Sequence, residues 1–462
     1  MKFFKLSLAA SVALGAFSTA SFAQPLEEAI KGVDVKGYLR YRYTDDRYDN
    51  QNFVKNDKVV NDKKESIPAT RGSAKHEWKA QADFKTPTIN NVALNFGLVY
   101  DQNIITNHGK GDKVSFDSKG LGGAKDDTFG VSVFNAVVTP DSTATTILAG
   151  KQRFNTPVTG SDDRGTGIFV TNRDIPGLTL VAGAFDAWRL DDAKDLGGGD
   201  NSVAKPFYTL AAEYNADTGI GNIGASIWGF TIEDIIDSII FTELSWKGSL
   251  LSAKVQYGFS KLDDSKSSVW AYSKYKPVEK SDKANIATDN DLLTFQLGAN
   301  FKDFNLPLEL KAGYLTNFQD GLAVSLDNGG KYEIPGKIWS DNTATSVNIG
   351  LVNGTTQADT TQEIDVFYGS AGYSFIDNRL KLGLDAVFGK NDLTQKSAVT
   401  GKIKFTEITP TISWKYNSKF NLSAYYAMLS TENSVKKDDS ATKDTYADED
   451  RNRLRLEARY SF

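Results

Sequence analysis

Residues 453–462 read RLRLEARYSF. Leu454, Leu456, Ala458, Tyr460 and Phe462 alternate with Arg453, Arg455, Glu457, Arg459 and Ser461, so an extended chain carries an apolar row on one face and a charged row on the other. Period-two alternation marks a strand with a single apolar face. What that face meets, a protein core or lipid, decides the fold.

Upstream segments repeat the scheme. VDVKGYLRYRY (33–43), AKHEWKAQADFK (74–85) and VALNFGLVYD (92–101) each place aliphatic and aromatic residues on one side and charged or polar ones on the other. The pattern predicts strands at 33–43, 74–85, 92–101, 128–138, 145–153, 167–173, 178–188, 206–216 and 222–230. It predicts further strands at 239–246, 252–261, 291–301, 308–318, 364–374, 379–389, 402–416, 420–430 and 452–462. Alternation is poor in those starting near 128, 167, 222 and 364. Segments of about ten residues suit a tilted strand crossing a bilayer.

The connections alternate between long and short along the chain, which a β-sandwich has no reason to do. A barrel of the outer-membrane type does, with long loops outside and tight turns in the periplasm. Inside hydrocarbon only a closed barrel satisfies every backbone group of its strands. The predicted fold is therefore all-β: a closed, antiparallel transmembrane β-barrel of about eighteen strands, with an inward-folded constriction loop and the last strand beside the first. Both seam strands carry arginines on the inward face, Arg40 and Arg42 on one and Arg453, Arg455 and Arg459 on the other. Like charges on paired strands need water or acids between them, so a wet lumen is expected rather than a dry core. Tyr41, Tyr43, Tyr100, Tyr257 and Phe259 fall at outer strand ends, and Trp414, Tyr416, Tyr460 and Phe462 at inner ends, as two interfacial girdles require.

At the other terminus, Lys2 and Lys5 precede an apolar run from Leu6 to Phe17, and Ser21-Phe22-Ala23 forms a small-x-small cleavage site. Residues 1–23 read as a secretory signal peptide and residues 24–462 as the barrel domain. Beyond the leader there is no apolar stretch long enough for a spanning helix.

The 462 residues hold 53 Lys and Arg against 58 Asp and Glu, for a net charge of −5, with two histidines and no cysteine. No basic excess points to nucleic acid, and no disulfide or thiolate site exists. The glycine clusters GKGD (109–112), GLGG (120–123) and GGG (197–199) lack the Lys-Ser/Thr ending of a phosphate loop. His76 lies on an apolar strand face and His108 stands alone in a loop, so no zinc site is expected. There is no G-x-S-x-G, and no enzyme activity is expected. Asp45, Asp46 and Asp49, Asp263 and Asp264, and Asp448, Glu449 and Asp450 lack the spacing of a calcium loop and read as solvated loop charge.

QPLEEAIKGVDVKGYLRYRY (24–43), AGKQRFN (149–155), TGSDD (159–163), GTG (165–167) and IPGLTLVAGAFDAW (175–188) resemble the major outer membrane porins of campylobacters and their relatives. The resemblance is dense at 24–43 and 149–188 and sparse in the long loops. It implies a trimeric general diffusion porin in a Gram-negative outer membrane. It also implies that the terminal aromatic strand, with Tyr460 and Phe462, is the assembly signal. A calcium ion lies in the channel of some members; in this chain Asp162 and Asp163 are the carboxylates on offer for it. No cofactor is required for passive diffusion. The expected partners are membrane lipid, small hydrophilic solutes and ions, and two further copies of the chain, with both termini in the periplasm.

In porins one loop folds inward, and selectivity follows the charges facing the pore. FNTPVTGSDDRGT (154–166) is the candidate, with Pro157, Gly160 and Gly165 to bend it and Asp162 and Asp163 to face the channel. Opposite would stand a basic wall of Lys36, Arg40, Arg42, Arg455 and Arg459, with Lys151 and Arg153 at the loop root. An ordinary solvated loop is the competing reading. The mildly negative chain predicts a weak cation preference. The longest connection, 319–363, reads as an exposed outer loop open to proteases. A substrate-specific uptake channel would share the barrel and add a basic ladder or aromatic slide, and the arginine wall keeps that alternative open. A gated receptor would need an N-terminal plug domain, for which the chain before the first strand is too short.

Overall fold

A computed structural model describes residues 32–49, 56–60, 63–67, 72–107, 114–117, 129–190, 203–268, 282–327, 330–342, 344–395, 399–434, 436–437 and 450–462. The leader 1–23, His108 and the three glycine clusters lie outside them, Gly109–Asp112, Gly120–Gly123 and Gly197–Gly199 included.

The barrel strands are β1 (Asp34–Asp49), β2 (Gly72–Lys85), β3 (Val92–Asn107), β4 (Phe129–Val138), β5 (Thr145–Arg153) and β6 (Arg164–Asn172). There follow β7 (Leu178–Arg189), β8 (Phe207–Thr218), β9 (Gly221–Ile232), β10 (Ile236–Lys247), β11 (Leu251–Leu262) and β12 (Asp289–Asn300). The last six are β13 (Leu308–Thr316), β14 (Thr360–Phe375), β15 (Leu380–Gln395), β16 (Val399–Lys415), β17 (Phe420–Asn433) and β18 (Asp450–Ser461). Each pairs antiparallel with its sequence neighbours, and β18 pairs with β1 to close an eighteen-stranded barrel. Every predicted strand coincides with one of these. Among the described residues no helix is long and apolar enough to cross a membrane, which leaves crossing by strands untouched.

Register confirms the faces. Leu39, Phe96, Leu210, Ile227, Leu244 and Phe388 stand exposed on the outside, where an apolar surface has no reason to be unless lipid covers it. Tyr41 packs on Trp78 and Tyr43 on His76 at one end, and Trp414 on Tyr416 at the other, forming two aromatic belts. At the seam Arg40 is opposite Arg459, and the inward rungs that follow pair Arg42 with Glu457, Thr44 with Arg455 and Asp46 with Arg453. Acids therefore interleave with the arginines, and the Arg459 guanidinium lies 3.9 Å from the Tyr38 ring.

The loop asymmetry is weaker than the sequence suggests. The connection 233–235 on the long-loop side is no longer than 248–250 on the other, and 396–398 is equally short. There the strands themselves run on past the membrane, so residues expected in loops are paired backbone.

The expected wholly wet lumen is corrected by an apolar cluster inside the barrel. Phe185, Phe207, Trp228, Phe230, Ile232, Ile239 and Phe241 point inward from the wall and are buried. Two connections cover them, 154–163 and 317–359. From these Val158, Leu322, Val324, Leu326, Trp339, Ile349 and Leu351 pack into the cluster at 2 % exposure or less. Fully burying such a side chain contributes about 1.5–3 kcal/mol, against about 0–1 kcal/mol for an exposed ion pair. Dry contact holds these loops inside. Connection 317–359 is thus a folded lumenal insert, not the exposed outer loop expected.

Candidate functional site

Loop 154–163 bends off the top of β5, runs inward and returns into β6, with Phe154 N donating to Asp163 O at 2.9 Å. Phe154 docks edge-on against Phe185 and Phe207, at 4.9 and 5.1 Å between ring centres. A Cβ on Gly165 would meet the Phe154 and Phe185 rings at 2.6 and 2.7 Å, which is why a glycine must follow the loop. Lys79 of β2 grips the loop through Asp162 at 2.7 Å. Arg164 adds a hydrogen bond to the Asp162 carbonyl and another to the Ser132 carbonyl. Burial alone would raise the Asp162 pKa, but Lys79, then Arg164 and Arg40, hold it below the usual carboxylate range.

The insert 317–359 meets this loop backbone to backbone. Leu326 N donates to Val158 O at 2.8 Å and Lys331 N to Pro157 O at 2.7 Å. Ser325 Oγ also donates to Val158 O at 2.9 Å. The wall then clamps the insert at several points. Asp291 accepts from Phe318 N and Gln319 N at 2.8 and 2.7 Å. Gln256 donates to Lys331 O and accepts from Glu333 N, and Lys254 pairs with Glu333 at 2.8 Å. Glu407 of β16, wholly buried, accepts from Lys337 N, Ile338 N and Trp339 N at 2.6, 2.9 and 2.8 Å and from Thr409 Oγ1 at 2.7 Å. Trp339 stacks on Phe405 beside it. Nothing in the sequence reading singled out Asp291, Gln256 or Glu407. The usable signal was in the insert, where Leu322, Val324 and Leu326 alternate, as do Val347, Ile349 and Leu351.

With one side of the lumen filled, open space remains along β13–β18 and β1. A cavity of about 530 Å³ is lined there by Arg42, Lys311, Lys337, Tyr425, Arg455 and Glu457, among others. Small residues line its wall, Gly372, Gly383, Ser413 and Ser423.

The expected site residues scatter over this frame. Asp162 is in contact with Lys79 and Arg164, and of the seam arginines Arg40 acts on it at longer range. Asp163 is buried, accepts from Gly160 N at 2.6 Å and lies beside Asp327 across Gly160. Arg40 pairs with Glu77 at 3.5 Å and Arg42 with Glu457 at 2.7 Å. Arg455 donates to Thr44 and sits over the Tyr425 ring. Arg153 holds Asp83 through two hydrogen bonds of 3.0 and 2.9 Å. Lys36 is solvated and paired with Asp34 at the short-turn end, away from the constriction. Lys151 stands in register with the exposed Phe134 and Thr166. Asp162 and Asp163 are the two carboxylates of this loop, and Asp327 lies beside Asp163 across Gly160. The two loop carboxylates serve different partners, and among the described residues no group of three or more His, Asp or Glu could hold a metal. At the seam, Phe462 N donates to Gly37 O at 3.0 Å and Gly37 N to Phe462 O at 3.1 Å. Tyr460 pairs in register with Leu39.

Several solved structures share this architecture. Acinetobacter baumannii OccAB3 matches with a TM-score of 0.56 at 13 % identity, over 93 % of this chain and 100 % of that one. Pseudomonas aeruginosa OccK9 (OpdG) matches at 0.57 and 15 % over 94 % and 99 %. A BenF-like porin from Pseudomonas fluorescens matches at 0.57 and 15 % over 93 % and 99 %. At such identities the likeness concerns the fold alone. No curated protein matches the sequence. The description Campylobacter major outer membrane protein fits residues 1–460, essentially the whole length, and the chain belongs to that family.

Proposed function

We propose that this protein is a passive general diffusion porin with a weak cation preference, working without a cofactor as a homotrimer with both termini in the periplasm. One observation carries the reading: two anchored loops fill one side of the barrel and leave a cavity of about 530 Å³, lined by charged and small residues, along the other. An interior held open by small residues and lined by both signs of charge lets hydrated solutes pass without a dedicated binding frame. The mildly negative chain favours cations over anions near the channel. Purified protein in planar bilayers should give ohmic channels, and proteoliposomes should admit small neutral sugars at rates falling steadily with size. Saturating uptake of one sugar with exclusion of others of equal size would favour the substrate-specific alternative.

Cation preference should fade at high salt, where screening shortens to about 3 Å at 1 M. Asp162→Asn with Asp163→Asn should move the reversal potential towards anions, and Arg40→Ala should move it the other way. An unmoved potential in the double variant would remove this loop from selectivity.

A further inference from the structure

We propose that the tight turns at the end of the barrel holding Phe462 form a collar that docks on phospholipid headgroups, pressing apolar tips into the leaflet. The proposal rests on the orientation proposed above, which sets these turns in the periplasm against a leaflet of phospholipid. Among the described residues, five of the eight turns at this end carry such a tip: Ile89 in 86–91, Ile175 in 173–177, Ile220 in 219–220, Phe304 in 301–307 and Ile376 in 376–379. Each of these side chains is at least 55 % exposed. Alternation along the lipid-facing wall does not explain them, because they lie beyond the strand ends, where turns ordinarily take Gly, Pro, Asn, Asp or Ser.

Ile376 is the sharpest case. Its φ is +51°, a left-handed backbone that a β-branched residue adopts only under strain. Glycine or asparagine would relax the turn and expose no apolar surface. Contact with acyl chains offsets the cost of that surface and gives the isoleucine a reason to be there. Cations stand beside the tips. Arg173, Lys302 and Arg379 are exposed and, among the described residues, have no carboxylate partner. Asp174, next to Arg173, already accepts from Thr143 Oγ1, Ala144 N and Asn172 Nδ2. An apolar residue flanked by a cation suits the boundary between acyl chains and phosphates. Asp303 and Asp377 share two of these turns, so the ammonium of an ethanolamine headgroup also finds a counter-charge.

Placement identifies the occupant. The five turns join β2 to β3, β6 to β7, β8 to β9, β12 to β13 and β14 to β15, so they are spread round the barrel. A docked protein would cover one sector, whereas a leaflet meets every turn at once.

The chain has no cysteine, so Ile175→Cys and Ile376→Cys each carry a single fluorophore. Asp141→Cys is the reference, exposed in a turn without a large apolar tip. In vesicles of phosphatidylethanolamine and phosphatidylglycerol, headgroup-level spin-labelled lipid should quench the first two more than aqueous iodide does, with the order reversed at 141. The same order at all three positions would overturn the collar. Arg173→Gln combined with Arg379→Gln should lower the barrel's preference for spin-labelled phosphatidylglycerol over phosphatidylcholine about fivefold at about 0.1 M salt. These substitutions lie outside the strands, and a heat-shifted gel band checks that the barrel has formed. An unchanged preference would overturn headgroup binding by the turns. Loss of the wild-type preference in excess inorganic phosphate would reveal sites for the free ion and overturn the lipid assignment. Labelling of Ile175→Cys by an impermeant maleimide on intact cells would instead defeat the orientation.

Discussion

Glu407 shows how much structure one side chain can govern. A buried carboxylate is strongly destabilising unless hydrogen bonds replace its water, and here three consecutive amides and a hydroxyl do so. Glu407→Ala leaves those amides without an acceptor, at about 1–3 kcal/mol for each that stays buried. The 337–339 segment should then detach, and single-channel records should show a larger, noisier conductance. Glu407→Gln, with one acceptor oxygen, should fall between. Wild-type noise in the alanine variant would show that the insert is held elsewhere. Asp162 and Glu333 anchor the two loops through Lys79 and Lys254, and although burial alone would raise both pKa values, these partners depress them. Groups with depressed values stabilise the folded form above the ordinary carboxylate pKa of about 4 and lose that contribution as pH falls through the lowered value. Conductance should therefore hold steady between about pH 5 and 8 and become unstable only below about pH 4. A transition near neutral pH would contradict these anchors.

At the scale of elements, the seam joins β1 to β18 and ends where Phe462 exchanges two backbone hydrogen bonds with Gly37. A Cβ on Gly37 would lie 2.7 Å from the Phe462 ring, so the last aromatic covers a glycine that must stay bare. Deleting Phe462, or Gly37→Val, should reduce the heat-modifiable barrel recovered from outer membranes, measured by gel shift; undiminished recovery would deny the terminus a role in assembly. Most of the strands could be read from alternation because lipid and lumen impose opposite demands on successive residues. Where alternation failed, the failure carried information. β9 and β14 turn Trp228, Phe230, Ile364 and Val366 inward because loops, not water, lie against them. The bend at 154–163 was legible from Pro157 and Gly160. The partners of that loop were not, because Lys79 and Asp162 are remote in sequence and many lysines share the inward face. The insert was missed because its apolar repeats are too short to register as strands.

For the whole molecule, the lumen is divided lengthwise into a dry side and a wet side. Lys331 and Lys337 belong to the insert, whose backbone is tied to the wall and to loop 154–163. Trypsin added to intact cells should leave both peptide bonds uncut in the wild type and cleave after Lys337 in Glu407→Ala, as mass spectrometry of the fragments would reveal. Cleavage there in the wild type would return 317–359 to the outer surface. The division also separates two quantities that barrel geometry normally ties together. For an empty cylinder of sheet, diameter follows strand number, and a narrower bore would require fewer strands and a new lipid-facing wall. Here the bore is what remains when a sheet rolls up around a peg. Its width is set by the volume of residues that never touch lipid, so the passage can be widened or narrowed by trimming the peg while the hull in the membrane stays as it is.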